Sequence, residues 1–134
     1  MSVLALDHVN ITCADLAGTA RFYAELLDLE ERDGPPPTTP DRVRWMHDAA
    51  GRPILHLNAA QVERPTGGID DVQTGGSTGA VHHVALECSK PDDTIARLDA
   101  RGAEYRVNRV ESLGLTQVFT RDPNDVLLEL NFRD

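Results

Sequence analysis

Residues 3–13 (VLALDHVNITC) alternate apolar and polar side chains with a period of two, the pattern of a strand with one buried face. The period changes at once. Leu16, Ala20, Tyr23 and Leu27 recur near every 3.6 residues, which predicts a helix over 15–28 with Asp15 as its N-cap. A short strand is expected near 29–33, and Pro35-Pro36-Pro37 then ends regular structure. Two further strands read at 42–48 and 53–60. The second half begins with a strand at 80–88. Ser89 and Pro91 open a helix that runs to about Arg101, with Gly102 at its C-terminal cap and Ile95 and Leu98 as its buried stripe. Strands near 103–110, 114–121 and 126–132 complete the chain.

The order of elements is the same in both halves, and so are parts of the sequence. His8-Val9-Asn10-Ile11-Thr12-Cys13 matches His83-Val84-Ala85-Leu86-Glu87-Cys88, with His, Val and Cys recurring in place. Ile54-Leu55-His56-Leu57-Asn58 matches Leu127-Leu128-Glu129-Leu130-Asn131, with Leu, Leu and Asn recurring. The chain therefore reads as one domain over 1–134, made of two strand–helix–strand–strand–strand units of α+β type. The units span 3–62 and 80–133 and are joined by a Gly-rich linker at 63–79.

Strand alternation sorts these residues by face. Val9, Ile11 and Cys13 share a packing side, as do Leu55 and Leu57, Val84, Leu86 and Cys88, and Val126, Leu128 and Leu130. The opposite sides carry His8 and Asn10, His56 and Asn58, His83, and Glu129 and Asn131. Each of the four strands thus presents one His or Glu at the matched position. A carboxylate inside the apolar run LLELNF needs a partner, because an isolated buried charge is too costly. If the two units are related by a pseudo-twofold axis, His8, His56, His83 and Glu129 converge on one point. Imidazole and carboxylate donors suit Fe, Ni, Co, Mn or Zn as the divalent ion, and the lack of thiolate donors argues against a closed structural zinc site. Cys13 and Cys88 fall on packing faces and read as structural. His47 and His82 do not fit the pattern and read as ordinary surface or rim histidines.

Composition narrows the partners. Of 134 residues, Lys+Arg number 13 and Asp+Glu 22, a formal charge of −9, which repels phosphate backbones and anionic lipid. No nucleic-acid or membrane partner is expected. Lys90 is the single lysine, a poor basis for Schiff-base chemistry. No apolar run reaches the roughly 20 residues needed to span a bilayer, and the start lacks the features of a signal peptide. Two cysteines are too few for a disulfide scaffold. A cytoplasmic, reducing location is expected.

DHVNIT (7–12), RFYAELLDL (21–29), HHVAL (82–86) and DPNDVLLEL (122–130) together resemble the vicinal oxygen chelate superfamily of glyoxalases, epimerases, extradiol dioxygenases, fosfomycin-resistance transferases and bleomycin-binding proteins. The resemblance implies paired βαβββ modules whose curved mixed sheets form a cup, the glyoxalase-like fold. It implies a divalent metal held by His8, His83 and Glu129, with His56 at the variable fourth position, and a small substrate that chelates the metal through two neighbouring oxygens. It further implies a homodimer, with modules pairing within or between chains. The activity expected is that of a glyoxalase- or epimerase-type lyase or isomerase, with His56 or Glu129 moving a proton and Asn10, Asn58 and Asn131 orienting substrate oxygens. An Fe(II) extradiol-type dioxygenase and a small-molecule-binding resistance protein are the alternatives. The chain departs from each subfamily. Bacterial-type glyoxalases carry Glu where His56 stands. The catalytic His of extradiol enzymes would fall at Ile54, and their Tyr before the last strand has only Phe119 and Thr120 near it. Fosfomycin transferases use Thr at Asn10, and the usual Gly of the last turn is Asp125.

Overall fold

The structure is a computed structural model that describes residues 4–60, 81 and 83–134. The linker expected at 63–79, and His82, lie outside the described residues. The first module runs β1 (Val9–Cys13), α1 (Leu16–Leu27), β2 (Glu30–Asp33), β3 (Val43–His47) and β4 (Pro53–Ala59). The second runs β5 (Val84–Cys88), α2 (Pro91–Ala100), β6 (Tyr105–Val110), a 3-10 turn (Glu111–Leu113), β7 (Leu115–Arg121) and β8 (Leu127–Arg133). Each module forms a four-stranded mixed sheet, ordered β1-β4-β3-β2 and β5-β8-β7-β6. In both, the first strand lies parallel to the last, while the other pairs are antiparallel.

The elements fall where the periodicity places them, with shorter first strands. β1 begins at Val9 rather than at residue 3 because its register, Val9 opposite Leu55, runs past the start of β4. Residue 7 would face Pro53, which has no N–H to offer. Leu4 and Leu6 are accordingly exposed, at 95% and 82%. Asp15 caps α1 as expected, accepting from the Gly18 N–H at 3.0 Å. α2 differs at its start. Lys90 stands at the N-cap with φ 59 and no side-chain cap bond, and Pro91 opens the first turn. Gly102, at φ 65, takes the left-handed geometry that follows the helix. Asp125 adopts the left-handed turn (φ 64) that glycine would reach more easily. The outer strand β2 is wholly exposed and charged, which discourages further strand addition.

A continuous core joins the modules. Ile11, Leu26, Met46 and Leu57 of the first and Leu98, Val118, Leu128 and Leu130 of the second belong to one buried cluster. α1 packs on β3 and β4 and also touches α2. Polar groups pin the same seam. The Tyr23 hydroxyl donates to Asp122 Oδ2 at 2.9 Å, and Asn124 Nδ2 donates to Thr19 Oγ1 at 3.0 Å. The Ala14 N–H donates to Asn124 Oδ1 at 3.2 Å. Asp122 Oδ1 accepts from the Asn124 and Val126 N–H groups, so the β7–β8 turn is locked while it grips α1. Burial, and then the charge of Asp122, hold the Tyr23 phenol well above its ordinary pKa, which keeps it a donor. No helix among the described residues is long and apolar enough to cross a membrane.

Buried groups that lose a partner cost roughly 1–3 kcal/mol each. Tyr23→Phe and Asn124→Ala are each expected to lower the unfolding free energy by about that amount in urea titrations, whereas Asn108→Ala, on the exposed β6, is expected to change it by less than about 0.5 kcal/mol.

Candidate functional site

The apolar faces of both sheets turn toward the core, so the His and Glu positions stand on the opposite, open faces. On the first sheet the parallel register sets Asn10 opposite His56 and brings His8 alongside. The His8 and His56 rings stack with centroids 3.7 Å apart and planes 15° from parallel. Across the antiparallel pair, Trp45 lies opposite His56 and stacks on it at 4.0 Å and 6°. Both neighbours are nearly coplanar with the imidazole at van der Waals distance, so they must occupy its two faces. Asn10 Nδ2 donates to Asn58 Oδ1 at 3.3 Å beside this stack.

His56 is the group whose environment is most telling. Its Nε2 is buried and has no hydrogen-bond partner among the described residues. Burial, and then the proximity of His8, push its pKa below the ordinary imidazole value, while Asp7 and a hydrogen bond to the Pro53 backbone pull the other way. The lowered pKa leaves the imidazole neutral at pH 7, with Nε2 unpartnered among the described residues. His8 has the complementary arrangement, its Nδ1 lying 2.5 Å from Asp7 Oδ2. A carboxylate on one ring nitrogen orients the other for a ligand.

The second sheet carries the carboxylate. Glu129 Oε1 accepts from Gln117 Nε2 and Glu129 Oε2 from Asn131 Nδ2, both at 3.0 Å. Asn108 Nδ2 donates to Gln117 Oε1 at 2.8 Å, which fixes the orientation of the Gln117 amide. Each carboxylate oxygen thus keeps a lone pair for a cation. His83 is exposed just before β5, with the alternation that places Ala85 opposite Glu129.

The donor set fits a divalent first-row ion: a His8 ring with Nδ1 on Asp7, an unpartnered buried Nε2 on His56, and a carboxylate held by neutral amides. The donors are not yet together. Among the described residues no group of three or more His, Cys, Asp or Glu is placed to hold a metal ion. His8 and His56 stack on the first sheet, and Glu129 stands with Gln117 and Asn131 on the second. A cavity of about 480 Å³ lies between the modules, lined by His8, Leu26, Ile54, Val84, Leu86 and Lys90 among others, and includes neither His56 nor Glu129.

Trp45 and Gln117, the two side chains that orient His56 and Glu129, were not visible as site residues in the sequence. Each becomes one only through cross-strand register, which alternation does not specify. His47 is not a surface or rim residue. It is buried at 8% exposure with Nδ1 unpartnered among the described residues. Cys13 is buried at 1%, and burial raises the Cys88 thiol to about 11, so Cys88 presents no thiolate at neutral pH.

The Glyoxalase/Bleomycin resistance protein/Dioxygenase superfamily model matches residues 5–130. No curated protein sequence matches significantly. Solved structures with the same fold include lactoylglutathione lyase from Agrobacterium tumefaciens, with TM-score 0.67 and 19% identity, over 98% of this chain and 96% of that one. They include the fosfomycin resistance protein FosX from Listeria monocytogenes, with TM-score 0.68 and 17% identity, over 99% and 96%. They also include a virulence protein from Salmonella typhimurium, with TM-score 0.67 and 18% identity, over the whole of both chains. With both modules, their open polar faces and the family match across 5–130, the chain belongs to the Glyoxalase/Bleomycin resistance protein/Dioxygenase superfamily.

Proposed function

We propose that the protein is a divalent-metal-dependent lyase or isomerase of the glyoxalase/epimerase kind, acting on a small substrate that presents two neighbouring oxygens. The observation that carries this reading is His56 Nε2, a neutral, buried nitrogen without a partner among the described residues. Such an atom costs stability unless a ligand occupies it. His8, His56, His83 and Glu129 would hold the ion, which when bound supplies Lewis-acid stabilisation of enolate-like charge on the substrate. With the single lone pair of His56 Nε2 given to the ion, the proton passes through Glu129, whose second carboxylate oxygen carries it between adjacent substrate positions. Asn10, Asn58 and Asn131 orient the substrate oxygens.

In this reading the protein is a homodimer in which the His8–His56 face of one subunit meets His83 and Glu129 of the partner subunit, since no three such donors are gathered among the described residues of one chain. A twofold-symmetric pair then forms two equivalent sites. Such mixed sites require no change in the core of either chain.

Elemental mass spectrometry of untagged protein is expected to find about one divalent ion per chain, lost from a His83→Ala/Glu129→Ala double variant. No ion after reconstitution at neutral pH, where the imidazoles are deprotonated, would remove the metal-dependent reading and leave a small-molecule-binding role. Assembly is tested with heterodimers of a His8→Ala/His56→Ala chain and a His83→Ala/Glu129→Ala chain, purified through two different tags. Pairing between chains leaves one intact site in roughly every two, and pairing within a chain leaves none.

The metal-free protein should also show the His56 shift. A pKa depressed in the folded state means that the unfolded chain binds the proton more readily. The stabilising contribution is therefore present above about pH 6.5 and is lost as pH falls through the lower folded value. Thermal melting in chelator between pH 8 and 5 is expected to fall more steeply for wild type than for His56→Gln.

A further inference from the structure

Trp45 is the single tryptophan of the chain. It is half-buried on β3 directly across from His56. Cross-strand neighbours have Cβ atoms about 5 Å apart, close enough for their rings to meet. They do so nearly face to face, at 4.0 Å and 6°. His8 covers the other side of the imidazole at 3.7 Å and 15°.

The terminal torsion of histidine is intrinsically soft, with a broad two-fold profile, so backbone position alone does not aim Nε2. Two constraints remove that freedom. A ring stacked on both faces cannot rotate out of its plane without driving its edge into one of the stacking partners. Within the plane, the structure holds the flip that leaves Nε2 buried and unpartnered among the described residues. His8 is itself a candidate ligand, held through its ring by Asp7. Trp45 carries no donor or acceptor suited to a metal ion, so it is the member of the stack whose contribution is purely geometric.

We infer that Trp45 is a positioning residue: from the face opposite His8 it fixes the plane of the His56 imidazole, and so the direction in which the bare Nε2 receives its ligand. The inference rests on the proposed function for the identity of that ligand, but the ring geometry it describes exists in the metal-free protein. Orienting partners of metal-binding histidines are worth about 10–100-fold in metal affinity.

The test uses full-length wild type, Trp45→Phe, which keeps a stacking ring, and Trp45→Leu, which keeps apolar bulk without one. Cobalt(II) titration of the metal-free proteins, followed by ligand-field absorption, is expected to show Trp45→Leu binding about 10–100-fold more weakly with altered bands. Trp45→Phe is expected to restore both. Nitrogen-15 NMR of the neutral His56 ring at pH 8 is expected to show one tautomer, protonated at Nδ1, in wild type and Trp45→Phe, and a mixture in Trp45→Leu. Equal affinity, bands and tautomer in wild type and Trp45→Leu would overturn the inference. A tautomer mixture in wild type would overturn it too, even if Trp45→Leu fails to fold. A wild type that binds no cobalt but passes the tautomer comparison would remove the proposed function and leave the positioning role standing.

Discussion

A strand that buries one face cannot slip by a single residue without exchanging its two faces. For β4 such a slip would bring Leu55 and Leu57, exposed at 2% and 0%, into water, and would drive His56 into the core. Each leucine contributes about 1.5–3 kcal/mol by its burial, so the register is held by several kilocalories per strand before any hydrogen bond is counted. The polar residues of the site have no comparable hold of their own. His8, His56 and Glu129 reach the open faces because the leucines, valines and cysteines between them are committed to the helices. The parallel pairing of first and last strand then decides which polar residues meet, and sets His8 beside His56.

The second level of constraint is the seam between modules. α1 serves its own sheet and also receives the β7–β8 turn, through Tyr23 with Asp122 and Thr19 with Asn124. Arg97 adds hydrogen bonds to the carbonyls of Glu25 and Leu26 at the other end of the helix. A shared core and a polar clasp at both ends leave the modules little freedom to rotate about each other.

What the sequence disclosed follows the same hierarchy. Both helices and the strands that bury one face were legible because periodicity reports which face is buried, whereas the wholly exposed β2 carries no such alternation; the duplication was legible because the same buried pattern occurs twice. The Asp15 cap was legible because a cap is local. Pairing partners were not. Trp45 reads as one more half-buried strand residue until the β3–β4 register places it on His56, and Gln117 is inconspicuous until β7 lies against β8. The clasp was hidden for the same reason, since Tyr23 and Asp122 are far apart along the chain and each is an ordinary residue in its own segment. His47 reads as a rim residue and is buried, because alternation does not report how deeply neighbouring strands and turns cover a side chain.

The two halves also show how one scaffold supports two kinds of donor. In each module an aromatic residue stands directly across from the functional position, Trp45 opposite His56 and Phe119 opposite Glu129. The flat, neutral imidazole uses its aromatic neighbour, because stacking covers its faces and leaves the in-plane nitrogen open. A carboxylate gains nothing from a ring face and needs donors, which Gln117 and Asn131 supply from the same open surface. Amide donors stabilise the carboxylate without bringing a positive charge that would compete with a cation, whereas an arginine at either position would have paired with Glu129 and removed it from any site. The chain has twelve arginines and one lysine. Those on the open face of the second sheet, Arg106, Arg121 and Arg133, are exposed, and among the described residues the side-chain hydrogen bonds to Glu129 come from Gln117 and Asn131. The stack on one sheet and the amides on the other are thus two solutions to one requirement, a donor that is held in place and still has a lone pair to give.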